Sequence, residues 1–252
     1  MSRTGEQLST TMALEGEGQG GGPEAARSGP VAGVVHTLFL LVILLGGAGL
    51  MYYSAGELRV ADHVNRTALY LTTMIWEWIL TAYVLWGVRK RGVSLNEVTG
   101  AKWKSFLDFA RDVGIAVLFW FAALMALGAT AIALHFRGSK ESVGFLAPRG
   151  VLQIALWILV CVTAGFCEET IFRGYLQKQF IAWSGSAAAG VVASALVFGA
   201  CHVYQGVKPA VVIMVYGLMF GILAQWRQSL RPGMMTHALH DTVSGIAARF
   251  LR

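Results

Sequence analysis

The chain has 252 residues, of which 56% are hydrophobic and 13% are charged, whereas an average soluble protein carries about 25% charged residues. About 140 apolar residues are too many for the interior of one soluble domain, but they suffice for about seven membrane spans of roughly 20 residues each. The formal charge of +6 does not indicate nucleic-acid binding, because the Lys and Arg residues lie in short loops between apolar runs, where they orient membrane proteins.

A polar stretch precedes the first apolar run. It contains the Gly-rich string GEGQGGGPEAARSGP, which ends at Pro30. Such a composition buries too little apolar surface to offset the entropy of ordering. We therefore expect residues 1–29 to be a disordered tail and residues 30–252 to form the transmembrane domain.

Seven apolar segments follow the tail. In lipid each must be helical, because no other single segment satisfies its own backbone hydrogen bonds. The predicted fold class is therefore all-α, a polytopic membrane bundle of about seven transmembrane helices. The predicted spans are Val31–Tyr53, Ala68–Val88, Val113–Leu134, Val151 to about Phe180, Ala187–Tyr204, Ala210–Trp226 and Met234–Phe250. The sixth span carries Gly217 and Gly221 in GxxxG spacing, which favours close helix packing.

The distribution of Lys and Arg predicts the orientation. With the N-terminus inside, the inner segments hold twelve of these residues and the outer segments eight. The cluster Arg89-Lys90-Arg91 lies directly at the end of a span, where the positive-inside rule is strongest. We expect an integral membrane protein, in a bacterial plasma membrane, with a cytoplasmic N-terminus.

Three cysteines, Cys161, Cys167 and Cys201, fall inside apolar segments. Their number is odd and none of them forms a CxxC pair, so neither a disulfide framework nor a zinc cluster is indicated. They are expected to pack as small buried hydrophobic side chains.

Ionisable residues inside the spans are the informative ones, because each is costly to place in lipid. They are Glu77, Glu168, Glu169, Arg173, His202, His237, His240 and Asp241, with His36 near the start of the first span. Glu169 and Arg173 lie four residues apart on one helix face and can neutralise each other. Glu168 points about 100° away from that pair and has no local partner. A carboxylate removed from water is a stronger base, so Glu168 is a candidate general base.

The position of His202 matches that of Glu168 in depth. If the fourth segment runs to a turn near Trp183, Glu168 lies about 15 residues before this turn and His202 about 18 residues after it. At the rise of an α-helix these are roughly 22 and 27 Å along antiparallel helices. The two side chains are therefore expected at one depth.

His237 and Asp241 form an i, i+4 pair in the last segment. His240 is an alternative to His237 in that role. Glu77 stands between Trp76 and Trp78 with no motif around it. It is either an interhelical partner or a functional residue.

Together these residues form three ordered motifs: EETIFR at 168–173, FGACH at 198–202 and HALHD at 237–241. The set resembles the CAAX protease and bacteriocin-processing family of intramembrane proteases, which includes the type II CAAX prenyl endopeptidases. The resemblance covers roughly residues 150–250, the family-like catalytic core. The first three spans match only in being hydrophobic.

The resemblance implies a role for each matching residue. Glu168 would activate a water molecule, assisted by His202. Glu169 and Arg173 would form a supporting ion pair.

The resemblance also implies that His237 and Asp241 stabilise the oxyanion, which forms when water attacks an amide. Prenyl-protein members of the family have Asn where this chain has Asp241. An amide donates a hydrogen bond to an oxyanion, whereas an ionised carboxylate cannot. Asp241 would have to be protonated, or else it orients His237.

The family has often been called a metalloprotease family. Glu168, His202 and His237 could supply a zinc site with an open position. Activation of water by Glu and His alone needs no metal, and it is the favoured interpretation of the sequence. Zinc stays a possible cofactor.

These observations predict an intramembrane endopeptidase that hydrolyses a peptide bond in a membrane-associated peptide or protein, with the lipid bilayer as its other partner. A prenylated substrate is not implied. Two other functions compete with this one. A non-catalytic membrane scaffold of the same fold would be expected to have lost a motif residue, and a proton-coupled transporter would be expected to show repeat symmetry.

Overall fold

The computed structural model describes residues 29–60, 64–136 and 144–250. Residues 1–28, which hold nearly all of the expected disordered tail, lie outside the described residues. Within the described ranges the chain forms eight helices and no strand. They are α1 Val34–Val60, α2 Arg66–Lys90, α3 Leu95–Thr99, α4 Phe106–Ala133, α5 Val151–Ser184, α6 Ala187–Cys201, α7 Val207–Arg227 and α8 Arg231–Ala247.

The helices confirm the predicted fold class, a polytopic helical bundle in an integral membrane protein. Five of the described helices, α1, α2, α4, α5 and α7, are long and apolar enough to cross a membrane. The other two predicted spans correspond to α6 and α8, which have 15 and 17 residues. At 1.5 Å per residue α6 is about 22 Å long, shorter than the roughly 30 Å of the hydrocarbon core. These two short helices carry the FGACH and HALHD motifs.

Helix α5 lies at the centre of the bundle, where α8 crosses it closely. At Gly165 an added Cβ would lie 2.7 Å from the backbone oxygen of Met234 and 3.1 Å from the backbone nitrogen of Ala238. Further along, Trp157 of α5 packs over Gly245 of α8 and donates a hydrogen bond to the Asp241 carbonyl at 3.1 Å. The absence of side chains at Gly165 and Gly245 brings the third motif, on α8, to the surface of α5.

Helices α6 and α7 pack antiparallel through small residues. A Cβ added at Gly217 would lie 3.0 Å from the Phe198 ring, and one added at Gly221 would lie 2.9 Å from the Val191 side chain. These contacts confirm the packing role expected of the GxxxG spacing. Because both glycines lack side chains, their carbonyls are also open to side chains of α5.

Helix α1 is tied to α5 by polar contacts near its start. The ring of His36 hydrogen-bonds the Tyr175 hydroxyl at 2.7 Å and stacks on Tyr83 with the ring centres 4.0 Å apart. The Thr37 hydroxyl lies 2.9 Å from the same Tyr175 oxygen. His36 is thus an interhelical link.

The cysteines behave as predicted. All three are free; Cys161 and Cys167 are buried and Cys201 is half-buried. None of the three thiols is in a disulfide.

The segment before α4 holds the start of α8. Helix α3 begins with a capping box in which Ser94 and Glu97 satisfy each other's backbone N–H groups. The carbonyl of Thr99, at the end of α3, accepts a hydrogen bond from the Leu230 N–H at 3.0 Å. Arg231 donates to the Gly100 carbonyl at 3.3 Å. These bonds fix the first turn of the helix that carries His237.

We predict that Gly165→Ala destabilises the bundle by about 1–3 kcal/mol, because the added methyl group clashes with the backbone of α8 rather than with a movable side chain. Gly128→Ala on α4 is the matched control, since a Cβ there has no neighbour within 4 Å. Thermal unfolding in detergent measures both. An unchanged midpoint for Gly165→Ala would contradict the close α5–α8 crossing.

Candidate active site

The first motif lies where α5 changes its winding. Residues Val151–Glu168 are α-helical, Glu169–Gln177 form a π-helix, and Lys178–Ser184 return to α-helix. A π-helix bonds each residue to the fifth rather than the fourth along the chain, and such segments often mark functional sites. This one contains the EETIFR motif from its second residue onward.

The π-segment directs two polar side chains at the glycines of α7. Arg173 donates through Nη2 to the Gly217 carbonyl at 3.2 Å, and Gln177 donates through Nε2 to the Gly221 carbonyl at 3.1 Å. The four-residue spacing on α5 matches the GxxxG spacing on α7. The backbone of α7 therefore holds one end of the Arg173 guanidinium.

The predicted ion pair between Glu169 and Arg173 is present. Nη1 of Arg173 lies 3.0 Å from Oε1 of Glu169, and both side chains are 1% exposed. The guanidinium also lies over the rings of Phe198, at 4.3 Å, and Phe220, at 5.0 Å. Cation–π contacts of this kind partly replace the water that the buried cation has lost.

His237 completes a buried triplet with this pair. Its Nδ1 lies 3.0 Å from the same Oε1 of Glu169, and because a carboxylate only accepts, Nδ1 carries the proton and donates. The imidazole stacks on Phe220 with ring centres 5.3 Å apart and an interplanar angle of 20°. Position and tautomer of the ring are thus fixed by residues of α5 and α7.

The other ring nitrogen of His237 faces two carboxylates. Nε2 is 3.6 Å from Oε2 of Glu168 and 3.5 Å from Oδ2 of Asp241. Both distances are longer than a good hydrogen bond. When both ring nitrogens are protonated, the hydrogen on Nε2 is therefore available to a third acceptor placed between these groups.

Glu168 has the unpaired state that its sequence position predicts. Its side chain is 14% exposed. Its Oε2 is buried and has no hydrogen-bond partner among the described residues. A buried carboxylate oxygen without a partner is costly, and it is the arrangement expected where a water or substrate group binds.

His202 lies at the edge of this cluster. It caps α6, and its Nδ1 lies 2.8 Å from the Phe198 carbonyl. A carbonyl can only accept, so Nδ1 is protonated, and in the neutral ring Nε2 is free to accept a hydrogen bond. In the described part of the chain no hydrogen bond or ion pair joins His202 to Glu168.

The ring of Phe198 is a neighbour of both histidines. Its centre is 4.8 Å from that of His202 and 6.1 Å from that of His237. The structure thus joins Glu168, Glu169, Arg173, His237 and Asp241 into one cluster, with His202 beside Phe198 and the turn Val203–Gln205.

His240, the alternative to His237, lies elsewhere. Its ring centre is 4.9 Å from that of Tyr216. Its Nδ1 is buried with no hydrogen-bond partner within the described ranges. The geometry therefore favours His237 as the histidine that faces the carboxylates.

Glu77 is the residue that sequence reasoning left without a role. Helices α2 and α5 pack side by side, with Tyr70 against Trp157 and Trp78 against Phe166. Oε2 of Glu77 is buried near this contact and has no hydrogen-bond partner among the described residues. The only signal in the sequence was a lone acidic residue inside an apolar span.

The described residues do not form a ready-made metal site. No group of three or more His, Cys, Asp or Glu side chains among them is arranged to hold a metal ion. Of the three ligands considered from sequence, Glu168 and His237 lie 3.6 Å apart, and no hydrogen bond or ion pair joins His202 to Glu168 in the described part of the chain.

A comparison with known protein families matches the segment that carries the three motifs. Residues 150–243 match the family model described as type II CAAX prenyl endopeptidase Rce1-like. The resemblance drawn from the three motifs is confirmed: this segment is similar to a family of proteases. No curated protein and no solved structure matches the chain.

We predict that Arg173→Met lowers the free energy of unfolding by about 3–5 kcal/mol, because it leaves the Glu169 carboxylate buried without its cation. The double variant Glu169→Gln/Arg173→Met should recover much of this loss, since no uncompensated charge remains. Unfolding in detergent measures both. A double variant less stable than the single one would contradict this reasoning.

Proposed function

We propose that the protein is an intramembrane endopeptidase that hydrolyses a peptide bond in a membrane-associated peptide or protein. The observation that carries the proposal is the buried, unpartnered Oε2 of Glu168, which lies 3.6 Å from Nε2 of His237. Glu168, as a base, and His237, as a hydrogen-bond donor, thus face each other. The similarity of residues 150–243 to a peptide-hydrolase family supports this reaction class.

Glu168 acts as the general base in this proposal. A water molecule between Glu168 and His202 gives a proton to the Glu168 carboxylate while its oxygen attacks the scissile carbonyl carbon. His202 accepts a hydrogen bond from this water through its free Nε2. When the C–N bond breaks, Glu168 returns the proton to the leaving nitrogen, so the enzyme is regenerated.

His237 stabilises the oxyanion. Its Nδ1 proton is committed to Glu169, so Nε2 must carry the second proton if it is to donate to the oxyanion. The carboxylates of Glu168, Glu169 and Asp241 lie around this ring and can balance its positive charge. A hydrogen-bond donor that is already in place needs no reorganisation when negative charge develops on the oxyanion.

Asp241 orients His237 in this scheme. Its Oδ2 lies 3.5 Å from His237 Nε2. As an ionised carboxylate it cannot donate to an oxyanion. Its charge instead supports the positive charge on His237, which is the second of the two roles expected from the sequence.

The proposal also covers the cofactor and the cellular location. The favoured reaction needs no metal, with zinc bound by Glu168, His202 and His237 as the competing possibility. The protein is placed in a bacterial plasma membrane with its N-terminus in the cytoplasm, on the basis of its Lys and Arg distribution. The substrate lies at the membrane.

We predict that Glu168→Gln abolishes peptide cleavage, a loss of at least about 10²–10⁴-fold, because the amide keeps the shape of the side chain but cannot take a proton. The measurement compares new protein N-termini in native-host membranes that carry either the wild type or Glu168→Gln at matched abundance. Termini found only with the wild type identify the substrate and its cut site.

The same membranes supply the controls. Equal membrane insertion of the two proteins shows that the variant folds, and cleavage that persists in the presence of a zinc chelator supports a metal-free reaction. Cleavage retained by Glu168→Gln would contradict the role of Glu168. Identical sets of termini would favour the competing function, a non-catalytic scaffold that binds a partner protein.

We predict that Asp241→Asn retains activity within about tenfold of the wild type, because the amide oxygen can still accept from His237 and its NH₂ group can donate to an oxyanion. The rate of cleavage at the identified site, with the Asp241→Leu variant as a comparison, measures this effect. If Asp241→Asn loses as much activity as Asp241→Leu, the negative charge itself is required.

A further inference from the structure

Tyr216 and His240 are two polar side chains that the proposed reaction does not use. Their rings, on α7 and α8, are in contact, with the ring centres 4.9 Å apart. The Tyr216 hydroxyl and Nδ1 of His240 are both buried, and neither has a hydrogen-bond partner in the described part of the chain. Tyr216 is only 4% exposed. Polar atoms buried in this way destabilise a fold, so the packing of the helices does not account for them.

Helix α4 brings a third such atom to the same region. Ala123 of α4 shares one buried cluster with Tyr216. Trp120 lies three residues before Ala123 and so on the same face of α4. The indole Nε1 of Trp120 is buried and has no hydrogen-bond partner within the described ranges.

Trp120 and His240 also lie at one depth. The Thr236 hydroxyl of α8 donates to the Ala116 carbonyl of α4 at 2.9 Å. Both helices begin at the segment that precedes α4, so they run in the same direction. Trp120 and His240 each follow this contact by four residues, which is about 6 Å of helix. Three unpartnered polar atoms therefore lie where α4, α7 and α8 meet.

The chemistry of these atoms indicates a ligand that accepts hydrogen bonds. An indole N–H can only donate, a phenol hydroxyl can donate, and a neutral histidine carries a hydrogen on one of its two ring nitrogens. A carbonyl oxygen has two lone pairs and can accept from such a set. An N–H group of a ligand, in contrast, has nothing to bond at Nε1 of Trp120.

This region is close enough to the reacting groups to contact the same peptide. The ring centre of Tyr216 is 6.3 Å from that of His237, and His240 follows His237 by three residues on α8. Neighbouring residues of an extended peptide are about 3.3–3.6 Å apart. When the scissile carbonyl faces His237, a carbonyl one or two residues away is at the right distance for the three donors.

We propose that Trp120, Tyr216 and His240 form a substrate-binding subsite that accepts a backbone carbonyl of the peptide, one or two residues from the scissile bond. The inference rests on the proposed peptidase function. It extends the substrate-binding surface from the motif-bearing helices to α4 and α7.

The first test measures stability and needs no substrate. Tyr216→Phe removes a hydroxyl that has no partner in the free protein, so the midpoint of thermal unfolding in detergent should be unchanged or higher. Tyr70→Phe is the matched control, because Tyr70 is 1% exposed and its hydroxyl donates to the Leu146 carbonyl. Its midpoint should fall by about 2–4 °C. An equal fall for Tyr216→Phe would overturn the proposal, since the hydroxyl would then be bonded inside the protein or to a resident water.

The second test uses full-length protein in lipid vesicles and a fluorogenic peptide that carries the cut site found by the comparison of N-termini. We expect Tyr216→Phe and His240→Leu each to raise KM about 3–10-fold with kcat within about twofold, because a hydrogen bond made before and during the reaction is lost. His240→Asn keeps a donor and should stay within about twofold of the wild type in KM. Tyr70→Phe should leave both constants unchanged.

Changes in the peptide identify the carbonyl that is bound. In a series of analogues an E-alkene replaces one amide at a time, so that the chain stays extended but lacks that carbonyl. For the analogue without the bound carbonyl, the wild type and Tyr216→Phe should have the same KM. A difference that persists with every analogue, or no difference with the unmodified peptide, would contradict the subsite.

Peptide binding separates the subsite from the peptidase function. In the Glu168→Gln background, adding Tyr216→Phe should raise the Kd of the unmodified peptide about 3–10-fold. This increase, with no cleavage by the wild type, would mean that the proposed function fails while the subsite stands. Cleavage by the wild type with equal Kd values in the two variants would overturn the subsite alone.

Discussion

One carboxylate, that of Glu169, connects the helices on which the site depends. A charge without water is expensive in a bilayer, so its oxygens must be satisfied inside the protein. Oε1 lies 3.0 Å from Arg173 of the same helix and 3.0 Å from His237 of α8. Arg173 in turn donates to the Gly217 carbonyl of α7. The cost of burying this charge thus fixes the relative position of three helices.

Small residues make this arrangement sterically possible. The guanidinium of Arg173 reaches the backbone of α7 at a glycine, and α8 approaches α5 where Gly165 has no side chain. Without these close approaches, His237 would lie too far from Glu169 for a direct hydrogen bond. The GxxxG spacing and the EExxxR motif are therefore two parts of one structure.

The sequence predicts those contacts that depend on local helix geometry. The pairs Glu169–Arg173 and His237–Asp241 follow from four-residue spacing, which places the two residues of a pair on one helix face. Contacts between helices are different, because depth along a helix leaves its rotation open. The number of residues to the turn between two helices predicted one depth for His202 and Glu168, but the two side chains are not hydrogen-bonded. The same reasoning gave no position for Glu77. The π-helical winding of α5 had no sequence signal.

The replacement of Asn by Asp at position 241 alters the charge balance of the site. Three carboxylates, those of Glu168, Glu169 and Asp241, surround His237, and Arg173 offsets one of them. In the proposed reaction the doubly protonated imidazole donates from Nε2 to the oxyanion. An amide at position 241 could donate to the oxyanion itself, whereas the Asp241 carboxylate can only support His237 in that role.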